Sequence, residues 1–249
     1  MKNIIYILAF LFSTVVIAQN SALFEKGNTL YNEGEYAEAI DAYSNILETE
    51  NHSAEVYFNL ANAHYKLNNI APSIYYYEKA LQLEPNDADI KNNLSFAKNM
   101  TVDAIDMLPE TGFSKLIKKI TYAFTFDGWA KLAIAFVFLF VILFLTYYFS
   151  YSTVKKRLAF IASNGSLLLM VVSLILAFNK YGLDKNDKPA IVFSQESKVK
   201  SEPNKRSEES FRLHEGTKVQ VLDTVKNWKK IKLSDGKTGW ISADDIKAL

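Results

Sequence analysis

The sequence predicts a multidomain membrane protein made of an α-helical repeat array, a two-helix transmembrane hairpin and a small all-β barrel. Three observations predict it. Two charge-free apolar runs, Leu132 to Phe149 and Leu158 to Phe178, lie side by side in the middle of the 249 residues. Before them the chain repeats itself at a fixed shift, and after them apolar and polar residues alternate around tight turns. Each apolar run has about the ~20 residues a helix needs to cross a bilayer core of roughly 30 Å. Both are apolar all round, without the one-sided stripe of a surface helix.

The hairpin sets the topology. Spans are expected at 129–149 and 158–178, joined by a loop at 150–157 that carries Lys155, Lys156 and Arg157. So short a link makes the spans antiparallel, and everything before and after them then lies on one side of the membrane. The N-terminus names that side. Lys2, the apolar run Ile4 to Ile17 and the small residues Val16 and Ala18 form a secretory signal peptide, 1–18, cut before Gln19. Both soluble parts are then periplasmic and the basic link cytoplasmic, at an inner (cytoplasmic) membrane. The positive-inside rule agrees in part, because Lys115, Lys118, Lys119 and Lys131 flank the first span on its outer side.

Composition narrows the function classes. The net charge of +1 implies no polyanionic partner, so no nucleic acid is expected. The absence of cysteine excludes disulfides, cysteine metal sites and thiol catalysis. The three histidines, His52, His64 and His214, have no metal-ligand spacing. No phosphate loop, nucleophile elbow or paired-carboxylate motif is present either, so neither catalysis nor a cofactor or metal is expected.

Residues 20–108 are read as the helical array, with repeats at 20–53 and 54–87 and a cap helix at 88–108. Shifting the chain by 34 residues lays Asn28 on Asn62, Tyr31 on Tyr65, Ile40 on Ile74, Tyr43 on Tyr77 and Leu47 on Leu81 without a gap. Gly27 meets Ala61 and Ala39 meets Ser73, small residues that let paired helices approach. The period, and the stretch "AEVYFNLANAHYKLNNIAPSIYYYEKALQLEPND", resemble the tetratricopeptide (TPR) family. That resemblance implies a concave peptide-binding groove lined by the first helix of each repeat. Phe24, Asn28 and Tyr31 would line it from the first repeat, and Phe58, Asn59, Asn62 and Tyr65 from the second. Asparagine can pair with a peptide backbone as donor and acceptor, and aromatic rings supply contact area. The carboxylate-clamping subtype needs Lys or Arg where this chain has Phe24, Asp89 and Asn93. In the cap helix Ile90, Leu94, Ala97 and Ile105 share a side. Two repeats and a cap make a thin solenoid, expected to lean on a partner, a second copy or the membrane surface.

Segment 109–128 reads as an amphipathic juxtamembrane stretch. Phe113, Leu116, Ile117, Ile120 and Phe124 fall at helical spacing, with Lys115, Lys118 and Lys119 away from them. Such a helix can rest among lipid headgroups, with Trp129 at the interface. In the second span Ala159, Ser163, Asn164, Gly165 and Ser166 form a small polar patch suited to packing on the first.

After a polar linker at 179–188, residues 189–249 alternate as strands do. Thr217, Val219 and Val221 alternate with Lys218 and Gln220, and Asp235-Gly236 centres a hairpin turn. Val199 to Arg212 reads as a long flexible loop. "LHEGTKVQVLDTVKNWKKIKLSDGKTGWISADDI" resembles bacterial SH3 (SH3b) domains, which implies a five- or six-stranded binding barrel with Trp228 and Trp240 as candidate ligand contacts. The order of signal peptide, TPR array, hairpin and SH3b domain is similar to the BatE-like proteins of the Bat aerotolerance-operon family. That resemblance implies a membrane scaffold working with von Willebrand A-type Bat proteins and a MoxR-type ATPase in envelope stress. A cell-wall module gripping peptidoglycan peptides is the competing reading.

Overall fold

The structure, a computed structural model, describes residues 20–106, 108–109 and 112–249; the expected signal peptide lies outside them. The described residues fall into two compact units. One joins the repeat array to the C-terminal β-domain, and the other is the segment Leu108–Asp187.

Five helices build the array: α1 (20–33), α2 (Tyr36–Glu48), α3 (Ala54–Lys66), α4 (Ile70–Leu83) and α5 (Ala88–Lys98). The 34-residue period governs their ends as well as their cores. Ser53 caps α3 by accepting the Val56 N–H, and Asp87 caps α5 by accepting the Ile90 N–H at 2.8 Å. Gly34 after α1 and Asn68 after α3 both take positive φ, where Gly and Asn pay least strain. By cap and register α5 is therefore the first helix of a third repeat. It ends at Lys98, ten residues short of the expected cap-helix boundary. Ile90, Leu94 and Ala97 are buried as their spacing predicts, but Ile105 packs instead against the β-domain core. A tertiary partner for 101–106 outweighs the helical period there.

That partner is the β-domain. Its strands are β1 (Pro189–Val192), β2 (Glu196–Lys200), β3 (Glu209–His214), β4 (Lys218–Val225), β5 (Trp228–Lys232), β6 (Thr238–Ser242) and β7 (Ile246–Ala248). They form one seven-stranded sheet in the order β3-β2-β6-β5-β4-β1-β7, with all pairs antiparallel. Val192, Val199, Leu213, Val219, Ile231 and Ile241 fill its core. The expected loop from Val199 to Arg212 is mostly strand. β2 and β3 pair through Val199↔Phe211 and Ser197↔Leu213, leaving 201–208 as the turn. Ion pairs between Arg212 and Glu196 and between Arg212 and Glu209 carry the charges that made the segment read as flexible.

Array and β-domain share a core. Ile191 of β1 is fully buried among Ile74, Tyr75, Tyr77, Leu94 and Ala97, and Phe193 meets Tyr75 edge-on at 5.7 Å. Asp103 accepts from the His214 backbone N–H at 2.7 Å and from the Thr217 hydroxyl at 2.6 Å, and its other oxygen pairs with His214 Nδ1 at 2.8 Å. Glu78, nearly buried, receives Lys98 at 2.9 Å and Lys218 at 2.7 Å. Burial pushes the Glu78 carboxyl up, but the two lysines more than offset it and hold it below the usual carboxylate range. The thin solenoid thus leans on its own C-terminal domain, a support the sequence did not suggest.

In the second unit α6 (Gly112–Thr121) precedes α7 (Phe126–Phe149) and α8 (Thr153–Asn186). α7 and α8 are long and apolar enough to cross a membrane and pack as an antiparallel hairpin. Their link is only 150–152, because Lys155, Lys156 and Arg157 fall in the start of α8. α8 also continues through the expected linker to Asn186, helped by the Lys180–Asp184 ion pair one turn apart and by Tyr181 against Phe126. The buried seam of α8 is Ala159, Ser163, Ser166, Ser173 and Ala177. Ser166 donates across it to the Phe136 carbonyl at 2.7 Å. Asn164 and Gly165 lie off this seam, and the exposed Asn164 amide donates back to the Phe160 carbonyl of its own helix.

Gly216 sits where the β-domain meets the array. Its φ is +83°, and an added Cβ would come 2.8 Å from Thr101 Cγ2 and 2.9 Å from Ile70 Cγ2. Gly216→Ala is expected to cost about 2–3 kcal/mol through strain plus overpacking, whereas Gly34→Ala, with nothing within 4 Å, should cost about 1 kcal/mol. Chemical denaturation of the purified full chain in detergent, with proteolysis around residues 99–106 as a local readout, checks the ranking.

Candidate functional site

The groove residues fall into two groups. The asparagines form a repeating hydrogen-bonded step. Asn28 Oδ1 accepts from the Tyr43 hydroxyl at 2.8 Å and from Asn59 Nδ2 at 3.0 Å. One repeat later Asn62 Oδ1 accepts from the Tyr77 hydroxyl at 2.5 Å and from Asn93 Nδ2 at 3.0 Å. Each step ties the two helices of one repeat to the first helix of the next. Burial pushes the Tyr43 hydroxyl up to about 12 and raises Tyr77 further, so both stay neutral donors. The acceptor oxygens of Asn28 and Asn62, assigned from sequence to a peptide backbone, are thus engaged inside the array.

The aromatic group is freer. Phe24, Tyr31, Phe58 and Tyr65 are half-buried. Phe24 stands 6.0 Å from the Tyr43 ring, Phe58 5.9 Å from Tyr77, and Tyr31 edge-on to Tyr36 at 5.2 Å. Around Phe58 lies a hollow lined by Ala54, Ile90, Glu55, Glu84, Asp87 and Asp89. Its acidic rim repels a free carboxylate, in line with the missing clamp cations. Extending the period once more adds Phe96, which sequence reasoning passed over, and gives Asn93, noted there only as standing where a clamp cation would, a place in the repeating step. Asn93 repeats Asn59, and Phe96 stands where Asn28 and Asn62 do, 52% exposed. Reading α5 as a plain cap hid a shift visible in the sequence.

On the β-domain, strand register brings the two candidate tryptophans onto one face. Gly239 and Ile241 are buried, so Trp240 between them turns outward. It pairs with Lys230 on β5 and with Lys200 on β2, while Trp228, two residues from Lys230, shares that side. An indole flanked by two lysines suits a ligand that is flat or apolar and carries a carboxylate.

A third cluster lies at the junction. His64 stacks on Tyr76 at 5.6 Å, and Lys247 of β7 lies 4.5 Å over the Tyr75 ring. Burial first, and the Lys247 charge second, lower the His64 imidazole to about 4. Among the described residues no group of three or more His, Asp or Glu could hold a metal ion.

Comparison with known proteins matches these parts. Residues 197–247 match the bacterial SH3 domain family, residues 54–87 the tetratricopeptide repeat and residues 27–68 a TPR repeat family. The chain therefore carries TPR repeats and a bacterial SH3 domain, modules that typically serve interaction rather than catalysis. No curated protein matches the chain. Among solved structures, it is similar to the first TPR of Spaghetti (RPAP3) bound to the HSP90 peptide SRMEEVD, at 22% identity over 33% of this chain and 92% of that one, with a TM-score of 0.23. The first TPR domain of human RPAP3 matches at 22% identity over 33% and 91%, TM-score 0.22. The Sgt2 TPR domain from Aspergillus fumigatus matches at 18% over 39% and 93%, TM-score 0.21.

His64 offers a probe of the junction. Its folded value lies below the 6.5 of a free imidazole, so the unfolded chain takes up the proton first. Its contribution to stability is complete above about pH 6.5 and falls as pH drops toward about 4. In an NMR titration Lys247→Gln is expected to raise the His64 pKa only part of the way to 6.5, since burial is the larger cause.

Proposed function

We propose that this chain is a non-catalytic inner-membrane scaffold that presents its TPR and SH3 parts to the periplasm. It would act within a Bat-type aerotolerance or envelope-stress complex containing von Willebrand A-type membrane proteins. The observation that carries this reading is the division of the array's surface. The hydrogen bonds and ion pairs to the SH3 domain come from α4 and the stretch after α5, away from the aromatic residues of α1, α3 and α5. Phe24, Phe58, Tyr65 and Phe96 are left for a partner segment with apolar side chains, and the acidic rim favours basic residues beside them.

Two features support the topology. The array and the SH3 domain pack as one unit, in keeping with a hairpin whose two ends emerge on one side. Lys155, Lys156 and Arg157 lie at the start of α8, where the helix dipole disfavours cations. A cytoplasmic position gives them a reason to be there.

A second reading rests on Trp228, Trp240, Lys200 and Lys230, whose shared face suits a carboxylate-bearing peptidoglycan peptide. Crosslinked capture from native membranes separates the two. Phe58→Ala with Phe96→Ala should lower partner recovery at least tenfold, because a buried aromatic anchor contributes about 2 kcal/mol, while retention on isolated sacculi stays unchanged. Trp240→Ala should lower only sacculus retention if the second reading holds. Asn62→Ala is not an equivalent test, since stranding the Tyr77 hydroxyl costs about 1–3 kcal/mol of fold stability.

Topology has its own measurement. Alkaline phosphatase fused after Leu249 is expected to be active, and a reporter active only in the cytoplasm at that position would contradict the two-span arrangement.

A further inference from the structure

We infer that α6 lies in the headgroup layer of an anionic membrane leaflet, held at that depth by the end of the hairpin. Phe113, Leu116, Ile117 and Ile120 share one side of α6 and all are exposed, Phe113 to 76%. Lys115, Lys118 and Lys119 occupy the other side. An exposed apolar stripe of this regularity calls for a cover, and three observations select lipid.

The first is a fixed elbow between α6 and the spans. Trp129 Nε1 donates to the Thr121 carbonyl at 3.1 Å, the Phe124 ring packs edge-on against Trp129 at 5.0 Å, and Lys180 Nζ lies 4.3 Å over the Tyr122 ring. Trp129 stands just before the charge-free run of α7 and Lys180 just after that of α8. The C-terminal end of α6 is therefore pinned at the level where the apolar core ends.

The second is the aromatic belt. Tyr122, Phe124, Phe126, Trp129 and Tyr181 gather at this end of the hairpin, and Tyr147, Tyr148 and Tyr151 at the other. From Trp129 to Tyr147 a helix rises about 27 Å, close to the roughly 30 Å of a bilayer core. The belts fit the two interfaces, and α6 starts from one of them. The third is charge. Lysine stems on a helix whose apolar side faces the acyl boundary lift their ammonium groups to the phosphates, so the surface fits anionic lipid rather than an apolar protein partner.

The chain has no cysteine, which gives single labels without background. Full-length Ile117→Cys, Phe113→Cys and Lys115→Cys, each carrying an environment-sensitive fluorophore, are reconstituted in vesicles of phosphatidylcholine alone or mixed with phosphatidylglycerol. Labels at 113 and 117 are expected to be shielded from iodide and quenched by brominated acyl chains, more strongly with phosphatidylglycerol, while the label at 115 stays open to iodide. Lys115→Gln and Lys119→Gln should each lower the phosphatidylglycerol preference about fivefold. Labels at 113 and 117 open to iodide overturn the proposal. Shielding from iodide without bromine quenching also overturns it, since protein then covers the face. Equal quenching in both vesicles overturns the choice of anionic lipid.

Discussion

Two and a half repeats cannot cover their own last helices, and the rest of the structure follows from what covers them. In a longer array the second helix of the next repeat would shield α4 and α5. Here Ile191 and Phe193 take that part against Ile74, Tyr75 and Ala97, each fully buried aliphatic side chain contributing about 1.5–3 kcal/mol. A β-domain closes a helical solenoid, and the surface it takes is not the aromatic one. Which face remains open to partners is thus decided by which face had to be shut.

The polar contacts at this closure give it direction more than strength. Asp103 holds His214 at the end of β3 and Thr217 in the turn that follows, and Glu78 gathers one lysine from each side. Such paired, hydrogen-bonded charges add little beyond the cost of drying them, but a wrong docking angle would strand both carboxylates. Both are held ionised by their partners, with burial working against them. Their contribution is whole above the usual carboxylate range and is lost as pH falls through their lowered values. Acid loosens the docking in the same direction as protonation of His64.

Much of the fold was legible because its signals are periodic. The 34-residue shift, the two charge-free runs and the Asp235-Gly236 turn each follow from backbone geometry and survive without context. What failed to show depended on contacts distant in sequence. Ile105 kept helical spacing with Leu94 yet packs on strands that begin some eighty residues later. Val199 to Arg212 read as a flexible loop because the charges of Arg212 and Glu196 pair only once β2 and β3 are adjacent. The asparagines were recognised as special, but position alone could not tell a residue facing a ligand from one joining helices. Asn28 and Asn62 join helices, whereas Phe58 and Phe96 retain open surface.

The hairpin carries a further consequence. Its two ends lie together, so the repeat array and the SH3 domain, separated by some eighty residues of chain, are delivered to each other as neighbours. Their association is intramolecular, at an effective concentration on the order of millimolar. A contact whose intrinsic dissociation constant were only micromolar would then be closed about a thousand times more often than open. Docking therefore needs no great intrinsic affinity to stay closed.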